Sequence, residues 1–352
     1  MLGIQRNRLV GLDIGSNTIK AAEVKESKKG FVLTGFGMLD IAPGLIEDGA
    51  IKAPEAVAAA LRSLLKSQGI KNSHVAISIG GNSVIVKKIS VPTATEEQLQ
   101  DTIHFEAEQY IPFDINDVNL DFQILGENEN NPYQMNVLLV AAKKEMVNAY
   151  VNLTEMAGLE PSIIDVDAFA LQNIFELNRD HQSSENVALI DIGASKTSLN
   201  ILQGANSVFM RDVSLGCGQI NHKISDLIGC SRQEAEAIKL GEGSDRISPE
   251  DLWKIISSVV ADWCTEIRRA LDFFYSTYAG GQINNIILGG GGANILELRQ
   301  LLAVETSAEV TCINPFQRIY IDSEKFDVEY LNKIAPQASI CMGLATRRVD
   351  DR

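Results

Sequence analysis

The sequence predicts an α/β fold of two lobes, because one pattern occurs twice and the chain is long. The segments VGLDIGSNTIKAAEV from Val10 and ALIDIGASKTSLNIL from Ala188 both combine an apolar strand, Asp-Ile-Gly, a small polar turn and a second strand. Helical and strand patterns alternate between them, as in α/β proteins. The 352 residues exceed what one core usually serves. We therefore expect two lobes of similar topology, each opening with a β-hairpin.

The composition narrows the class of protein. The formal net charge of −15 argues against a nucleic-acid binder and against a broad electrostatic contact with a membrane. The five cysteines form no C-x-x-C pair, which predicts reduced thiols rather than disulfides or a zinc site. No apolar run approaches the roughly 20 residues of a membrane span, and the opening MLGIQRN begins no signal peptide. We expect a cytoplasmic protein without a membrane span.

The first half carries an extra unit. An amphipathic helix is predicted over 53–68 and a strand over 74–79. A capping box at Thr95 opens a helix to about residue 110, and a strand follows at 135–141. Residues 75–157 therefore resemble a small inserted α/β subdomain.

The second half is more helical. Ser231 caps one helix, and Ser248-Pro249 opens a long apolar helix to about residue 278. A buried strand at 283–288 then leads into a glycine-rich turn, with a further helix predicted from Asn294.

The first Asp-Ile-Gly turn has the residues of a phosphate-binding loop. A tight turn exposes backbone N–H groups that can bind phosphate oxygens, and a glycine allows close approach. Asp13 would hold Mg²⁺ through water, since this ion keeps several waters in proteins. An ordinary hairpin whose Asp and Asn stabilise the turn is the alternative. The candidate nucleotide-binding residues here are Gly15, Ser16, Asn17, Thr18 and Lys20.

The second turn repeats this arrangement with Asp191 in place of Asp13. Two such turns facing one another across a cleft would hold a polyphosphate and its Mg²⁺ from both sides. The alternative, two ordinary hairpins that share the motif by coincidence, is the less economical explanation. The candidate residues are Gly193, Ala194, Ser195, Lys196 and Thr197.

Two further segments fit a nucleoside. Glycines after a strand let a flat base or sugar lie against the backbone, although such a turn is also common without a ligand. Glu236 and Lys239 share a helix face and could contact ribose and base, or form a surface ion pair. The candidates in the glycine-rich turn are Gly290, Gly291, Gly292 and Ala293.

The order of these motifs resembles the superfold of actin, the heat-shock chaperone ATPases and the sugar kinases. In that resemblance the Asp13 and Asp191 turns are similar to the first and second phosphate motifs. The glycine-rich turn looks like the adenosine motif, and the helix of Glu236 is similar to the adenosine-contacting helix of bacterial members. The resemblance implies a two-lobed actin-like fold that binds ATP with Mg²⁺.

Within this superfold the chain resembles the PilM family of type IV pilus assembly proteins over nearly its whole length. The resemblance is carried by RLVGLDIGSNTIKAAEV from Arg8, FEAEQYIPFDINDVNLDFQIL from Phe105, GLEPSIIDVDAFALQNIF from Gly158 and DIGASKTSLNIL from Asp191. This family shares an inserted subdomain with the cell-division protein FtsA. The domains implied are a first lobe (1–74 and 158–186), the insertion (75–157), a second lobe (187–217 and 281–352) and a helical nucleotide-contacting subdomain (218–280).

The resemblance also implies partners. PilM-type proteins bind the cytoplasmic N-terminal tail of the membrane protein PilN, and through it the PilN/PilO inner-membrane complex. The chain would then be peripheral at the inner membrane and would relay its nucleotide state to the pilus assembly platform there. The resemblance leaves open further contacts with pilus motor ATPases and with other copies of the chain. A groove beside the insertion would take the tail, or its residues form the insertion's own core. The candidates are Ile89, Val91, Pro92, Phe105, Tyr110, Ile111, Pro112 and Phe113.

Hydrolysis is less well supported by the sequence than binding. Asp165 and Asp167, in the connecting helix region, are the candidates for polarising water or assisting magnesium binding. Neither matches the glutamine used by actin. Asp167 has the alternative role of a helix cap. We therefore expect weak or no intrinsic ATPase activity.

Two other functions remain open. An FtsA-type polymer usually ends in a basic amphipathic helix, and the residues after Ala345 show no such pattern, which counts against that function. A small-molecule kinase of the same superfold needs a base beside a substrate hydroxyl, and we assign no segment to such a pocket.

Overall fold

The computed structural model describes residues 8–28, 30–128, 131–179, 185–278 and 281–351. The predicted α/β class is confirmed. The strands are β1 (Val10–Ile14), β2 (Thr18–Ser27), β3 (Gly30–Asp40), β4 (Ile46–Glu47), β5 (Ala50–Ile51), β6 (His74–Ile79), β7 (Val84–Pro92), β8 (Val118–Asn128), β9 (Asn131–Lys143), β10 (Glu160–Val166), β11 (Asn186–Ile192), β12 (Thr197–Gln203), β13 (Asn206–Val213), β14 (Asn285–Gly289), β15 (Glu309–Cys312) and β16 (Ile319–Tyr320).

The α-helices alternate with these strands. They are α1 (Pro54–Ser67), α2 (Glu96–Ala107), α3 (Lys144–Met156), α4 (Asp167–Asn178), α5 (Gly218–Ile228), α6 (Arg232–Lys239), α7 (Pro249–Thr277), α8 (Leu296–Thr306), α9 (Val328–Ile334) and α10 (Ser339–Ala345). Short 3-10 helices cover Ile115–Asp117, Gly291–Asn294 and Ala335–Ala338.

The first lobe is built on a six-stranded sheet in the order β10-β6-β1-β2-β3-β16. The strands β1, β2 and β3 form an antiparallel meander, and β6 pairs in parallel with both β1 and β10. Helices α1 and α3 cover one face of this sheet, where Leu61 and Leu153 are fully buried. Helices α4 and α10 lie on the other face.

The insertion is an antiparallel sheet in the order β7-β9-β8 with α2 on one face. Thr95 caps α2 through the predicted capping box, in which its hydroxyl and the Gln98 side chain each bond the other's backbone. The unit is narrower than the expected 75–157. The strand β6 lies in the first-lobe sheet beside β1, and α3 packs against α1, because their apolar side chains complete the first-lobe core.

The second lobe contains a five-stranded sheet in the order β13-β12-β11-β14-β15. Helices α5 to α8 pack on one face of it around the fully buried Trp263, whose indole N–H donates to the Gln219 side chain. The hairpins β1–β2 and β11–β12 occupy matching positions in the two sheets, as the internal repeat predicts.

The C-terminal residues return to the first lobe. Strand β16 pairs with β3, and α10 packs against β1 and α4, although residues 281–352 were expected in the second lobe. Glycines allow the close backbone contacts of this packing. A Cβ atom on Gly11 would lie 2.1 Å from the Cys341 carbonyl oxygen, and one on Gly343 would lie 1.8 Å from that of Ala170.

Within the described ranges, we find no helix that is both long and apolar enough to cross a bilayer. The opening MLGIQRN, interpreted above as lacking a signal peptide, lies outside the described residues. So do the parts of the expected domain ranges at 29, 129–130, 180–184, 279–280 and 352.

Candidate functional site

Strand alternation places the two key aspartates on facing surfaces. In β1 the side chains of Val10, Leu12 and Ile14 enter the α1–α3 core, so Asp13 points to the opposite face. In β11 the side chain of Ile190 enters the second-lobe core, so Asp191 points toward α4 and α10. The inner faces of both sheets therefore present an aspartate at the end of a strand, beside the following turn.

The two turns meet across the gap between the lobes. The hydroxyl oxygens of Ser16 and Ser195 lie 2.9 Å apart. Both turns close in the same way, since the Gly15 N–H donates to the Thr18 carbonyl and the Gly193 N–H donates to that of Lys196. The prediction that these turns face one another therefore agrees with the geometry.

The turns also expose main-chain donors. In the part of the chain that the structure describes, the N–H groups of Ser16, Asn17, Ala194 and Ser195 make no hydrogen bond within the protein. Successive free N–H groups of this kind form an anion-binding concavity. This donor set fits phosphate oxygens.

A cluster of buried charges lies under the turns. Lys20 donates to the Asp13 carboxylate at 2.8 Å. Although burial opposes the charge of Lys20, the Asp13 carboxylate raises its pKa above the ordinary value. Asp191 is buried close to Asp13 and Asp167. Burial and these two carboxylates raise its pKa to about 7.

Asp167 is held at the start of α4, in contact with the second turn. It forms an ion pair with Lys196 and accepts a hydrogen bond of 2.5 Å from the Ser78 hydroxyl. Although burial opposes its charge, these partners lower the pKa of Asp167, and the same ion pair raises that of Lys196. The alternative role of Asp167 as a helix cap does not match the structure, because α4 has Val166 at the capping position and no side-chain cap bond.

Asp165 is directed away from this cluster. Its carboxylate accepts from Arg347 at 2.7 Å and from the Val166 N–H at 2.8 Å. Burial raises its pKa despite the arginine. Asp165 and Asp167, which the sequence grouped together, therefore have separate partners, and Asp165 connects β10 to the C-terminal residues. Thr197 is also turned inward, with its hydroxyl donating to the Leu215 carbonyl at 2.7 Å.

The glycine-rich turn packs tightly on the second hairpin. Gly290 has a φ of +77°, and a Cβ atom there would lie 2.4 Å from the Ile192 carbonyl oxygen. A Cβ atom on Gly292 would lie 2.3 Å from the Ile192 side chain, whereas Gly291 faces open space. The helix predicted from Asn294 begins at Leu296, after a 3-10 turn over Gly291–Asn294. The open side at Gly291 fits a flat group lying on the backbone.

The helix α6 contributes a buried polar group beside this turn. Lys239 donates to the Glu236 carboxylate at 2.6 Å, and the Asn221 amide donates to the same oxygen at 2.5 Å. Only 10% of the Lys239 side chain is exposed, which separates this pair from an ordinary surface ion pair. Cys217 lies between the glycine-rich turn and α6. Its sulfur is 3.3 Å from the position that a Cβ atom on Gly292 would take. Burial raises the pKa of the Cys217 thiol to about 11, and the charges of Lys239 and Glu236 also influence it.

Sequence inspection missed three residues of this arrangement. Ser78 comes from β6, Asn221 from α5 and Asp212 from β13; the last accepts a hydrogen bond of 2.5 Å from the Gly81 N–H. Each is an ordinary polar residue within a strand or helix and belongs to no motif, a signal too common to single out a site. The Asn221 oxygen Oδ1 is buried and has no partner within the described residues.

The residues present fit a nucleotide with a divalent cation. Among the described residues, no group of three or more His, Cys, Asp or Glu side chains could hold a metal by itself. Mg²⁺ is usually bound by one or two carboxylates together with phosphates and water. Asp13 and Asp191 supply that number of carboxylates beside the free N–H groups of the turns.

The tail-binding candidates divide into three sets: buried, exposed and half-buried residues. Ile89, Val91 and Ile111 are buried in the core formed by the insertion sheet and α2, so their alternative role as core residues matches the structure and a groove-lining role does not. Pro92 and Pro112 are exposed, and 75% of Phe105 is exposed. Two candidates are half-buried beneath lysines: Tyr110 under Lys87 and Phe113 under Lys143.

Comparison with known protein families and solved structures agrees with this arrangement. The family model of the type IV pilus assembly protein PilM matches residues 11–349. A solved structure described as the PilM-PilN type IV pilus biogenesis complex is 27% identical, with a TM-score of 0.86 over 96% of this chain and 97% of that chain.

More distant structures share the fold. The ethanolamine utilization protein EutJ from Carboxydothermus hydrogenoformans is 12% identical, with a TM-score of 0.58 over 96% of this chain and 88% of its own. MreB5 of Spiroplasma citri, solved with ADP, is 13% identical, with a TM-score of 0.55 over 96% and 95%. The actin-like fold expected from the sequence is thus confirmed, and the chain belongs to the family of the type IV pilus assembly protein PilM.

Proposed function

We propose that this chain is an ATP-binding scaffold of the type IV pilus assembly platform at the inner membrane, on its cytoplasmic side. It binds MgATP between the Asp13 and Asp191 turns and binds the N-terminal tail of a PilN-type membrane protein, through which it joins the PilN/PilO complex. The observation that carries the nucleotide part is the contact of the two turns at Ser16 and Ser195, with free N–H groups on both sides. The solved complex named for PilM and PilN supports the partner.

Each part of the site has a role in this proposal. The N–H groups of the two turns and the ammonium of Lys196 bind phosphate oxygens. Asp13 and Asp191 hold the waters of a bound Mg²⁺, which would neutralise phosphate charge. The open backbone at Gly291 accepts the base, while Glu236 and Lys239 bond the ribose or base edge.

The nucleotide proposal is tested by isothermal titration of the purified chain with MgATP, in parallel with the same titration in EDTA. We expect one site that depends on the cation. The matched control is the variant Asp101→Ala, an exposed carboxylate on α2 that should change nothing. Absence of binding heat and of any thermal stabilisation at saturating MgATP would refute the nucleotide assignment.

Binding is proposed without rapid turnover. A water-positioning group must be free to orient the attacking water. Asp167 is already bonded by Lys196 and Ser78, and Asp165 is bonded by Arg347. We expect slow hydrolysis or none in the isolated chain. Steady-state phosphate release faster than about one per second, the low end for kinases, would contradict this expectation.

The tail is proposed to bind beside the insertion, on a surface that includes the exposed Phe105. Fluorescence anisotropy with a labelled PilN-type tail peptide gives the affinity. The variant Phe105→Ser should weaken binding about tenfold, because it removes an exposed aromatic contact. Val304→Ser is the matched control, since Val304 is 77% exposed on α8 in the second lobe. Equal weakening by both variants would place the tail elsewhere.

A further inference from the structure

A hydrogen bond crosses between the two lobes close to the phosphate-binding turns. The N–H group of Gly81 donates to the carboxylate of Asp212 at 2.5 Å. Gly81 lies in the connection from β6 of the first-lobe sheet to β7 of the insertion, whereas Asp212 lies in β13 of the second lobe. Because the bond joins residues that are 131 apart in sequence, it forms only when the two lobes are close together.

The backbone held by this bond covers an ion pair of the candidate nucleotide site. A Cβ atom on Gly80 would lie 2.3 Å from the Lys196 ammonium nitrogen and 2.6 Å from an oxygen of Asp167. No residue larger than glycine therefore fits at this position. Gly81 has a φ of +83°, which glycine adopts at little cost. Gly80 and Gly81 thus form a flap of bare backbone over the lysine of the second turn.

Asp212 acts on the same lysine through its charge. Although burial opposes the charge of Lys196, the carboxylates of Asp167 and Asp212 raise its pKa. The second oxygen of Asp212, Oδ1, is buried and has no hydrogen-bond partner within the residues that the structure describes. Burial of a carboxylate oxygen without a partner is unfavourable. A contribution to stability alone therefore does not explain why a carboxylate occupies this position.

We propose that Asp212 is a positioning residue of the nucleotide site: it holds the flap over Lys196 while phosphate is bound, and in this way slows nucleotide release. This inference rests on the proposed function and adds a control of release to it. Release requires the two turns to separate at Ser16 and Ser195, because the proposed phosphate site lies between them. Separation of the lobes must also break the bond between Gly81 and Asp212, whose partners lie on opposite sides. The bond therefore adds to the free-energy barrier for release.

A tie that only fastens the insertion to the second lobe is the alternative role of this bond. Such a tie would support the fold whatever the ligand, and its loss would change the affinity for all parts of the nucleotide alike. The positioning role concerns the phosphates, because the flap borders Lys196. Adenosine, which has no phosphate, distinguishes the two roles.

The test compares two variants of the full chain. Asp212→Asn keeps a side-chain oxygen that can accept from the Gly81 N–H group, whereas Asp212→Ala does not. Stopped-flow fluorescence with a labelled ATP and Mg²⁺ measures association and release. We expect Asp212→Ala to release the nucleotide about tenfold faster at an almost unchanged association rate, because one bond to a charged acceptor is lost. The release rate of Asp212→Asn should lie closer to that of the parent than to that of Asp212→Ala.

Two controls accompany this measurement. The affinity for adenosine, measured by calorimetry, should be the same in the parent and in both variants. Asp245→Ala removes an exposed carboxylate between α6 and α7 of the second lobe, and should leave the release rate unchanged.

Hydrogen exchange of the Gly81 amide tests the bond directly. In the parent chain, MgATP should slow this exchange further. Without nucleotide, the Gly81 amide of Asp212→Ala should exchange about tenfold faster than that of the parent, while the amides of β11 keep their protection and show that the variant is folded.

Four results would overturn the proposal: no slowing of Gly81 exchange by MgATP in the parent, release from Asp212→Ala at the parent rate, release from Asp212→Asn as fast as from Asp212→Ala, or an adenosine affinity that falls together with the ATP affinity. A parent chain that binds no MgATP would refute the proposed function and this inference with it. Normal MgATP binding by the parent together with any of the four results would overturn this inference alone.

Discussion

The two Asp-Ile-Gly hairpins share a backbone but balance their charges differently. In the first hairpin Asp13 is neutralised by Lys20 from the next strand of the same hairpin, at 2.8 Å. In the second hairpin Lys196 pairs with Asp167 of α4 instead, and Asp191 is left buried with its pKa raised to about 7. The first turn is therefore electrostatically self-contained, whereas the second depends on groups from other elements.

This difference predicts that the two turns respond differently when neighbouring elements move. A change in the position of α4 would leave the Asp13–Lys20 pair intact, because both residues belong to the β1–β2 hairpin. The same change would expose or separate Lys196, Asp167 and Ser78, which come from three different elements. We infer that the second turn responds to movement between parts of the molecule, while the first is a fixed support. The following four predictions test this contrast.

The largest effect is expected on removal of the charge of Lys196. The variant Lys196→Met leaves the Asp167 carboxylate buried with only the Ser78 hydroxyl, and should lower the free energy of unfolding by about 3 kcal/mol. Chemical denaturation measures this loss. The double variant Lys196→Met/Asp167→Asn removes both charges and should recover most of it. If the double variant is as unstable as the single one, the ion pair is not the cause.

Removal of either cleft carboxylate should weaken nucleotide binding. We expect Asp13→Ala and Asp191→Ala each to reduce MgATP affinity about 100-fold, the loss of one or two charge-assisted contacts. Asp13→Ala should also destabilise the protein, because it leaves Lys20 unpaired, whereas Asp191→Ala should not. Titration calorimetry and denaturation together measure both effects. Wild-type affinity in either variant would exclude that carboxylate from the site.

The contrast also predicts a pH effect in the metal-free protein. Between pH 3.8 and about 7, folded Asp191 keeps a proton that the unfolded chain releases. The free energy of unfolding should therefore fall as the pH rises through this window. In EDTA, the variant Asp191→Asn should lack this part of the fall and gain stability relative to the parent above pH 7. Parallel curves for the two proteins would contradict the buried state of Asp191.

The smallest effect is expected at the point where the turns touch. Ser16→Ala and Ser195→Ala each remove the hydroxyl contact of 2.9 Å, which is worth about 1 kcal/mol. The double variant should cost no more than one single variant, because the same bond is lost. The two single variants and the double variant form a double-mutant cycle. Additive losses of unfolding free energy in this cycle would show that the two hydroxyl groups act separately.

Local features of the fold were predictable from the sequence. The Asp-Ile-Gly hairpins, the capping box of Thr95 and the Pro-initiated helices α1 and α7 depend on residues close together in the chain. Long-range pairings were not predictable. The pattern of β6 indicates a strand, but it does not show that the neighbours of this strand are β1 and β10. The bounds 75–157 expected for the insertion therefore include a strand of the first-lobe sheet.

The site shows the same division. Asp13 and Asp191 follow from the repeated motif, but the contact of Lys196 with Asp167 joins residues 29 apart in sequence and depends on how α4 packs. The sequence also could not separate the roles of Asp165 and Asp167. They lie two residues apart, and only the position of Arg347 assigns the first of them to the C-terminal contact.

Gly80, which precedes the insertion, lies between the phosphate-binding turn of Lys196 and the insertion. A Cβ atom there would lie 2.3 Å from the Lys196 ammonium and 2.6 Å from the Asp167 carboxylate, while the next residue bonds Asp212 on β13. A ligand that moves the Lys196 ammonium would therefore change what packs against Gly80, at the base of the insertion. If nucleotide binding shifts the insertion in this way, thermodynamic reciprocity applies. A partner that favours one position of the insertion then changes the nucleotide affinity by the same factor by which the nucleotide changes the affinity for that partner.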